Sequence, residues 1–437
     1  MLSKGAGEQR SFLLKVFVAG LLLRMAVGTL IYCFQLQEFF GGDALTYDYL
    51  GSALLETWRN NAPLMSELKQ WALAGGWGMV YLVAAIYAVV GRNPLAVQFF
   101  NAVLGAVTAA VVFICARHIF QNMRVAKVAA LCVAFYPSLV LWSSQGLKDG
   151  PIVFLLALSM LATLKLGERL SVRYVATLLM AMFAILSLRF YIFYMLLVAV
   201  GGAFIIGMRP QTTQSLVRQL AIVLVLGLGL TYLGVLRTAG AQYELFGNLE
   251  GVQRSRADLV RSANTGFAAD VDVSTATGAL SVVPLGMAYL LFAPFPWQLA
   301  SLRQSITLPE MVAWWAAFPL LVLGVWFTLS YRLRQALPIL LFTTMLTLAY
   351  SIFQGNVGTA YRQRSQILVF YFIFVAVGAV LLKERQEEGQ QQLLAEKQAR
   401  AERARTAVGG RRYARWDAER GQELEQVARD IAGRVNF

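Results

Sequence analysis

Apolar runs long enough to cross a bilayer recur from Phe12 to Leu382, and they constrain this chain more than any other feature. In lipid every backbone amide must find its partner inside its own segment or a closed barrel, so such runs read as helices. Hydrophobic residues make up 58% of the 437 positions and charged residues only 14%, with a mean hydropathy of +0.59. A soluble domain carries about 25% charged residues. The expected fold is therefore an all-α polytopic membrane protein. The first run, Phe12 to Phe34, lacks a small-residue cleavage site and is too long for a signal peptide, so it reads as the first span.

Charge fixes the expected topology. Residues 384–437 hold 11 basic and 10 acidic residues, leaving 27 basic and 14 acidic residues before them. This surplus is a membrane-topology signal rather than a nucleic-acid footprint, since no basic patch is interleaved with aromatics outside the spans. The basic clusters are Lys4/Arg10, Arg117/Arg124/Lys127, Lys165/Arg169/Arg173, Arg209/Arg218, Arg332/Arg334 and Lys383. The positive-inside rule places all of them in the cytoplasm. That requires ten spans, roughly 12–34, 95–116, 126–143, 151–166, 174–188, 190–207, 219–236, 311–330, 336–353 and 366–383, with both termini inside.

Segments 77–91 and 284–300 are apolar too, but counting either alone as a crossing would export the basic loops after it. They are expected to lie on the outer side as re-entrant or interfacial helices. This leaves two long outer loops, about 35–94 and 237–310. Twelve of the 14 acidic residues before residue 384 then face outward, among them Glu38, Glu56, Glu67, Asp258, Asp270, Asp272 and Glu310; only Glu8 and Glu168 stay inside. Long loops commonly carry function, so the working face is expected to be external. The organisation expected is a membrane domain over 1–383 and a charged helical cytoplasmic tail over 384–437, with helices Gln391–Ala407 and Trp416–Arg434 split by Gly409-Gly410.

Four short stretches could carry chemistry. Asp43-Ala44-Leu45-Thr46-Tyr47-Asp48 follows span one; Asp43 and Tyr47 share a helical face, with Asp48 turned partly away. A carboxylate in a partly dry cleft can act as a general base. Lys148-Asp149 opens span four and offers a second acid that could bind a metal or orient an acceptor. Arg189 sits in a very short turn between two spans, and Tyr361, Arg362 and Arg364 precede the last span. Guanidinium forks match phosphate oxygens, so these arginines suit a phosphate clamp. The first three have plainer readings: Asp43 and Asp149 as helix N-caps, Arg189 as a snorkelling side chain. Cys33, Cys115 and Cys132 are scattered in apolar runs and His118 is the single histidine, which argues against a disulfide framework, a His-based metal site or a triad.

In this order the pieces resemble the GT-C glycosyltransferases, near the family 39 protein mannosyltransferase and aminoarabinose transferase group. The resemblance is carried by Asp43 to Tyr47 after span one, the apolar stretch Trp77 to Gly91, the span ending Ala116-Arg117-His118-Ile119-Phe120, and Lys148-Asp149 in a short outer loop. It departs where Ala44 follows Asp43 in place of Glu, and where Gly76-Trp77-Gly78 stands in place of Pro-Pro-Leu. The resemblance implies a sugar moved from a polyprenyl-phosphate donor to a glycan, lipid or protein acceptor on the outer, periplasmic face of a bacterial inner membrane. It implies Asp43 as the base, with Asp149 beside it. Asp48, Tyr47, Lys148, Arg189, Tyr361, Arg362 and Arg364 would serve substrate and phosphate, and a divalent cation at Asp43 and Asp149 is left open. Two rivals remain: an O-antigen or exopolysaccharide polymerase, and a lipid-linked sugar flippase or transporter. The tail has no Walker loop, consistent with a donor activated elsewhere.

Overall fold

The computed structural model describes residues 2–60, 76–208, 213–233, 235, 249–261, 266–268, 271–299 and 302–434. Glu67, Arg209 and Asp270 lie outside the described residues. Among those described the chain is helical almost throughout: α1 Leu2–Cys33, α2 Gln37–Gly41, α3 Asp43–Asn60, α4 Trp77–Val90, α5 Pro94–Phe120, α6 Met123–Phe135, α7 Pro137–Ser143, α8 Asp149–Glu168, α9 Val172–Leu188, α10 Phe190–Ile206, α11 Thr213–Tyr232, α12 Leu249–Arg261, α13 Ala276–Phe292, α14 Leu302–Tyr331, α15 Leu333–Phe353, α16 Val357–Gln363 and α17 Ser365–Arg434. A 3-10 turn, Pro296–Gln298, follows α13, and one isolated bridge pairs Gly266 with Asn356.

Among the described residues six helices are long and apolar enough to cross a membrane, or seven if the bent pair α6–α7 is one span. These seven carry seven of the ten expected crossings. The other three fall on α9, α10 and α11, whose apolar stretches are shorter than 18 residues. A 17-residue helix reaches only about 26 Å against a hydrocarbon core of about 30 Å. Of the two segments set aside by charge, 77–91 is the short apolar α4, whereas 284–300 is not one helix: its first half closes α13, which starts at Ala276 and stops at Phe292 before Pro294, and a 3-10 turn follows. The protein is an integral, all-α, polytopic membrane protein.

Local chemistry explains the boundaries. Asn93 caps α5 by accepting from the Leu95 amide, and Pro94 takes the first turn, where no amide is needed. Gln121 ends α5 in the left-handed region (φ 53°), and Asn122 at once caps α6 by accepting from the Arg124 and Val125 amides. Pro137 splits α6 from α7 at a 55° bend. Proline lacks the amide that Val133 O would receive. Arg24 of α1 supplies the donors instead, bonding Ala134 O at 2.7 Å and Val133 O at 3.2 Å, with its Nε donating to Ser143 Oγ at 2.8 Å. This accounts for a buried arginine deep within the first span. Gly105 of α5 makes room for it, since a Cβ there would come within 2.7 Å of Arg24 Nε.

The chain forms two compact units, Met1–Ala379 and Val380–Phe437. In the first, α5 packs against α1, α6 and α8; α9 packs on α8; α3 packs on α4; and α15 packs on α10 and α13. The second is the later part of α17, an exposed helix. It runs unbroken through Gly409-Gly410, correcting the expected split. Each glycine costs a helix only about 1 kcal/mol, and the flanking sequence is rich in Glu, Gln, Ala and Arg, which favour continuation.

Charge separates along the first unit. Asp149 and Lys165 stand at opposite ends of α8. At the Lys165 end, Lys165 approaches His118 at 3.2 Å and Glu168 at 3.3 Å, while Arg218 donates to the carbonyls of Gly167 and Glu168, both at 3.0 Å. Arg332 and Arg334 line the same recess as His118 and Glu168.

Candidate functional site

At the Asp149 end the helix termini converge. Asp43 opens α3, Asp149 opens α8, Arg189 is the single residue between α9 and α10, and Arg362 lies on α16. The turn leading to Asp149 is pinned from α5, where Asn101 Nδ2 donates to Gln145 O at 2.6 Å and Leu147 O at 2.8 Å. Asn356 caps α16 by accepting from the Gly358 amide at 2.8 Å.

Arg362 joins the two carboxylates. Its Nε donates to Asp149 Oδ2 at 2.7 Å and its Nη1 to Asp43 Oδ2 at 2.8 Å. Arg189 Nη2 stands 3.7 Å from Asp149 Oδ1, an ion pair without a hydrogen bond. The Asp149 side chain is 0% exposed, whereas that of Asp43 is 52% exposed. The guanidinium of Arg362 also lies 5.9 Å from the Trp142 ring centre. Among the described residues, Arg362 Nη2 and Arg189 Nη1 are buried without a hydrogen-bond partner. Two guanidinium groups thus have N–H bonds to give an incoming anion.

Burial works against the charge on Arg362, but Asp149 and then Asp43 outweigh it, so the guanidinium is held more firmly protonated than usual. Lys148 is half-buried. Desolvation comes first and repulsion by Arg189 second; Asp149 and Asp43 only partly offset them, and its amine is pushed down to about 7. Tyr47 is buried, and desolvation followed by the charge of Asp43 raises its hydroxyl. Tyr47 and Lys148 therefore belong to the cluster.

Three other expected residues are not brought into it. Asp48 accepts from Tyr87 Oη at 2.6 Å and from Arg92 Nη2 at 2.6 Å. Five residues from Asp43 is about 140° around a helix, so it faces α4 and the turn before α5. Arg364 is fully buried and donates to the carbonyls of Leu291 at 3.0 Å and Ala293 at 3.2 Å. It closes the end of α13, where helix carbonyls lack partners. Tyr361 donates to Glu310 Oε2 at 2.7 Å. Sequence alone does not distinguish Asn101, which lies within an apolar run, or Glu310, one of twelve acids expected outside.

Arg362 occupies the space between Asp43 and Asp149 that a shared divalent cation would need. Among the described residues no group of three or more His, Cys, Asp or Glu converges on one point. The residues as arranged do not fit such an ion.

Beside the cluster opens a cavity of about 860 Å³. Leu23, Val27, Phe40 and Phe135 are among its apolar wall, while Glu310 and Arg362 mark its polar part.

Residues 77–233 match the family model described as dolichyl-phosphate-mannose-protein mannosyltransferase. The match takes in Lys148, Asp149 and Arg189 and leaves Asp43 and Arg362 outside. No curated protein matches the sequence. Among solved structures, the archaeal oligosaccharyltransferase AglB from Archaeoglobus fulgidus, in complex with an inhibitory peptide and a dolichol-phosphate, aligns with a TM-score of 0.47 at 14% identity, covering 89% of this chain and 52% of that one. The Archaeoglobus fulgidus oligosaccharyltransferase in complex with Zn and sulfate aligns at 0.41 and 16% identity, covering 71% and 41%. The chain spans about half the length of these structures or less. It is an integral membrane protein similar to the GT-C membrane glycosyltransferases, the likeness being carried by residues 77–233.

Proposed function

We propose that this protein is a glycosyltransferase that moves a sugar from a polyprenyl-phosphate donor to an acceptor on the outer face of the membrane. The observation that carries the reading is Arg362, held between Asp43 and Asp149 at the polar part of a cavity with apolar walls. The family-model match supports a glycosyltransferase, and the dolichyl-phosphate-mannose in that family's description is the kind of donor meant. Basic residues at the Lys165 end favour placing that end in the cytoplasm and the Asp43–Asp149 end outside.

The donor's tail would lie along Leu23, Val27 and Phe40, with its phosphate at Arg362 and Arg189. An acceptor hydroxyl attacks the anomeric carbon, its proton passes to the exposed Asp43, and the bond from that carbon to the phosphate oxygen breaks. The released phosphate gains one negative charge. The N–H groups of Arg362 Nη2 and Arg189 Nη1 meet that charge in a site with little water, where such donors count most. Asp149, fully buried, holds the two guanidinium groups in place and does not touch the acceptor.

The test is reconstitution in lipid with labelled polyprenyl-phosphate monosaccharides, scoring labelled product and its release outside. No transfer from any monosaccharide donor, with transfer from a lipid-linked oligosaccharide repeat, would replace this reading by a polymerase.

A further inference from the structure

Among the described residues Glu310 is the buried acid besides Asp149, and the proposed reaction leaves it unused. It lies on α14 facing the large cavity, is 7% exposed, and shares that cavity with Trp142, Tyr361 and Arg362. Its Oε2 is engaged by the Tyr361 hydroxyl, but Oε1 is buried and has no hydrogen-bond partner among the described residues. The Tyr136 hydroxyl faces the same carboxylate, and the charge of Arg364 acts on this group as well. Leaving a carboxylate oxygen unpaired at an apolar wall is costly, so the place is built for a ligand that brings a hydrogen-bond donor. Neither a polyprenyl chain nor a phosphate diester has an O–H or N–H to give. The sugar does. Glu310 and Arg362 line the same cavity, so a donor whose phosphate meets Arg362 has room to hold its sugar on the Glu310 side.

We propose that Glu310 is a specificity-determining residue that recognises the sugar of the lipid-linked donor, its Oε1 accepting a hydrogen bond from a ring hydroxyl. The proposal rests on the transferase reading above. It makes the sugar, and not only the lipid phosphate, a source of affinity. A site that bonds a ligand hydroxyl rejects the analogue lacking it, because the protein group is then left unpaired.

The experiment measures binding of bare undecaprenyl phosphate and of undecaprenyl-phosphate mannose or glucose to the full-length purified protein, with thermal unfolding alongside. The wild type is expected to prefer at least one sugar-bearing lipid. Glu310→Met, which removes the acceptor at similar length, should lower that preference on the order of tenfold while leaving affinity for bare undecaprenyl phosphate unchanged. Glu310→Gln, which keeps the size and one acceptor, should lose less, and Glu310→Asp should keep part of the preference. A purely structural role would change the unfolding temperature of the Met variant without changing the ratio of the two affinities, and would overturn the proposal. A wild type that binds bare and sugar-bearing lipid equally would overturn it too, with the transferase reading left standing. A wild type that binds neither lipid overturns both.

Discussion

Removing Arg362 should expose how the charge cluster is balanced. In Arg362→Met the buried carboxylate of Asp149 loses the charge-assisted hydrogen bond from Arg362 and retains Arg189 at 3.7 Å. Stripping one partner from a buried ion pair costs about 3–5 kcal/mol, most of it the penalty of the charge left behind. The arm to Asp43 adds little, because that side chain is 52% exposed and an exposed pair is worth about 0–1 kcal/mol. The cost should therefore follow Asp149. In the double variant Arg362→Met/Asp149→Asn the stranded charge is gone, and most of the lost stability should return. Thermal unfolding of the four proteins in one detergent completes the cycle. If the two substitutions add, with the double variant less stable than either single one, the charge-balance argument is wrong. Transfer should not recover with stability, since the anion clamp is missing; loss of one such donor typically costs about 10²–10³ in rate.

Asp43→Asn should lower transfer by about 10²–10⁴ while the unfolding temperature stays close to wild type, and normal transfer in the purified variant would remove Asp43 from the reaction. Lys148 is neutral in the folded chain above about pH 7 but charged in the unfolded chain up to about 10.5. The unfolded state thus binds more protons between these values, and stability should rise with pH through that window and stay flat below it. Lys148→Met should abolish that rise, as followed by denaturation across pH 7 to 10. Asn101→Leu should free the carbonyls of Gln145 and Leu147 and loosen the turn that aims Asp149; the expected result is a lower turnover number with little change in affinity for bare polyprenyl phosphate, measured by steady-state kinetics and binding.

Much of the architecture was legible because lipid leaves a chain few options. The ten segments that keep basic loops on one side fall on helices; of the two set aside, one is α4, and the other overlaps only the later half of α13 and the turn after it. Which helices are long enough to cross is less legible, since α9, α10 and α11 are short and length alone does not settle their insertion. At the site, Asp43 and Asp149 could be singled out because each acid stands at the end of an apolar run. Their meeting through Arg362 could not be read, since 213 residues separate Arg362 from Asp149. Arg364 misleads for a definable reason. It has the same side chain two positions on, but on α13's open carbonyls it has structural work that no spacing rule announces. The unbroken α17 shows the converse, where a glycine pair that looks like a stop is outvoted by its neighbours.

The arginine that mends the break at Pro137 has a mechanical consequence. Leu23, Arg24 and Val27 occupy one turn of α1; the first and last look into the cavity, while the middle one grips both the kink and Ser143. Ser143 stands six positions before Asp149, across the turn that Asn101 anchors. A chain wedged beside Leu23 and Val27 therefore presses on the same turn of helix that braces the carboxylate, and the groove and the acid are linked by a single rigid strut.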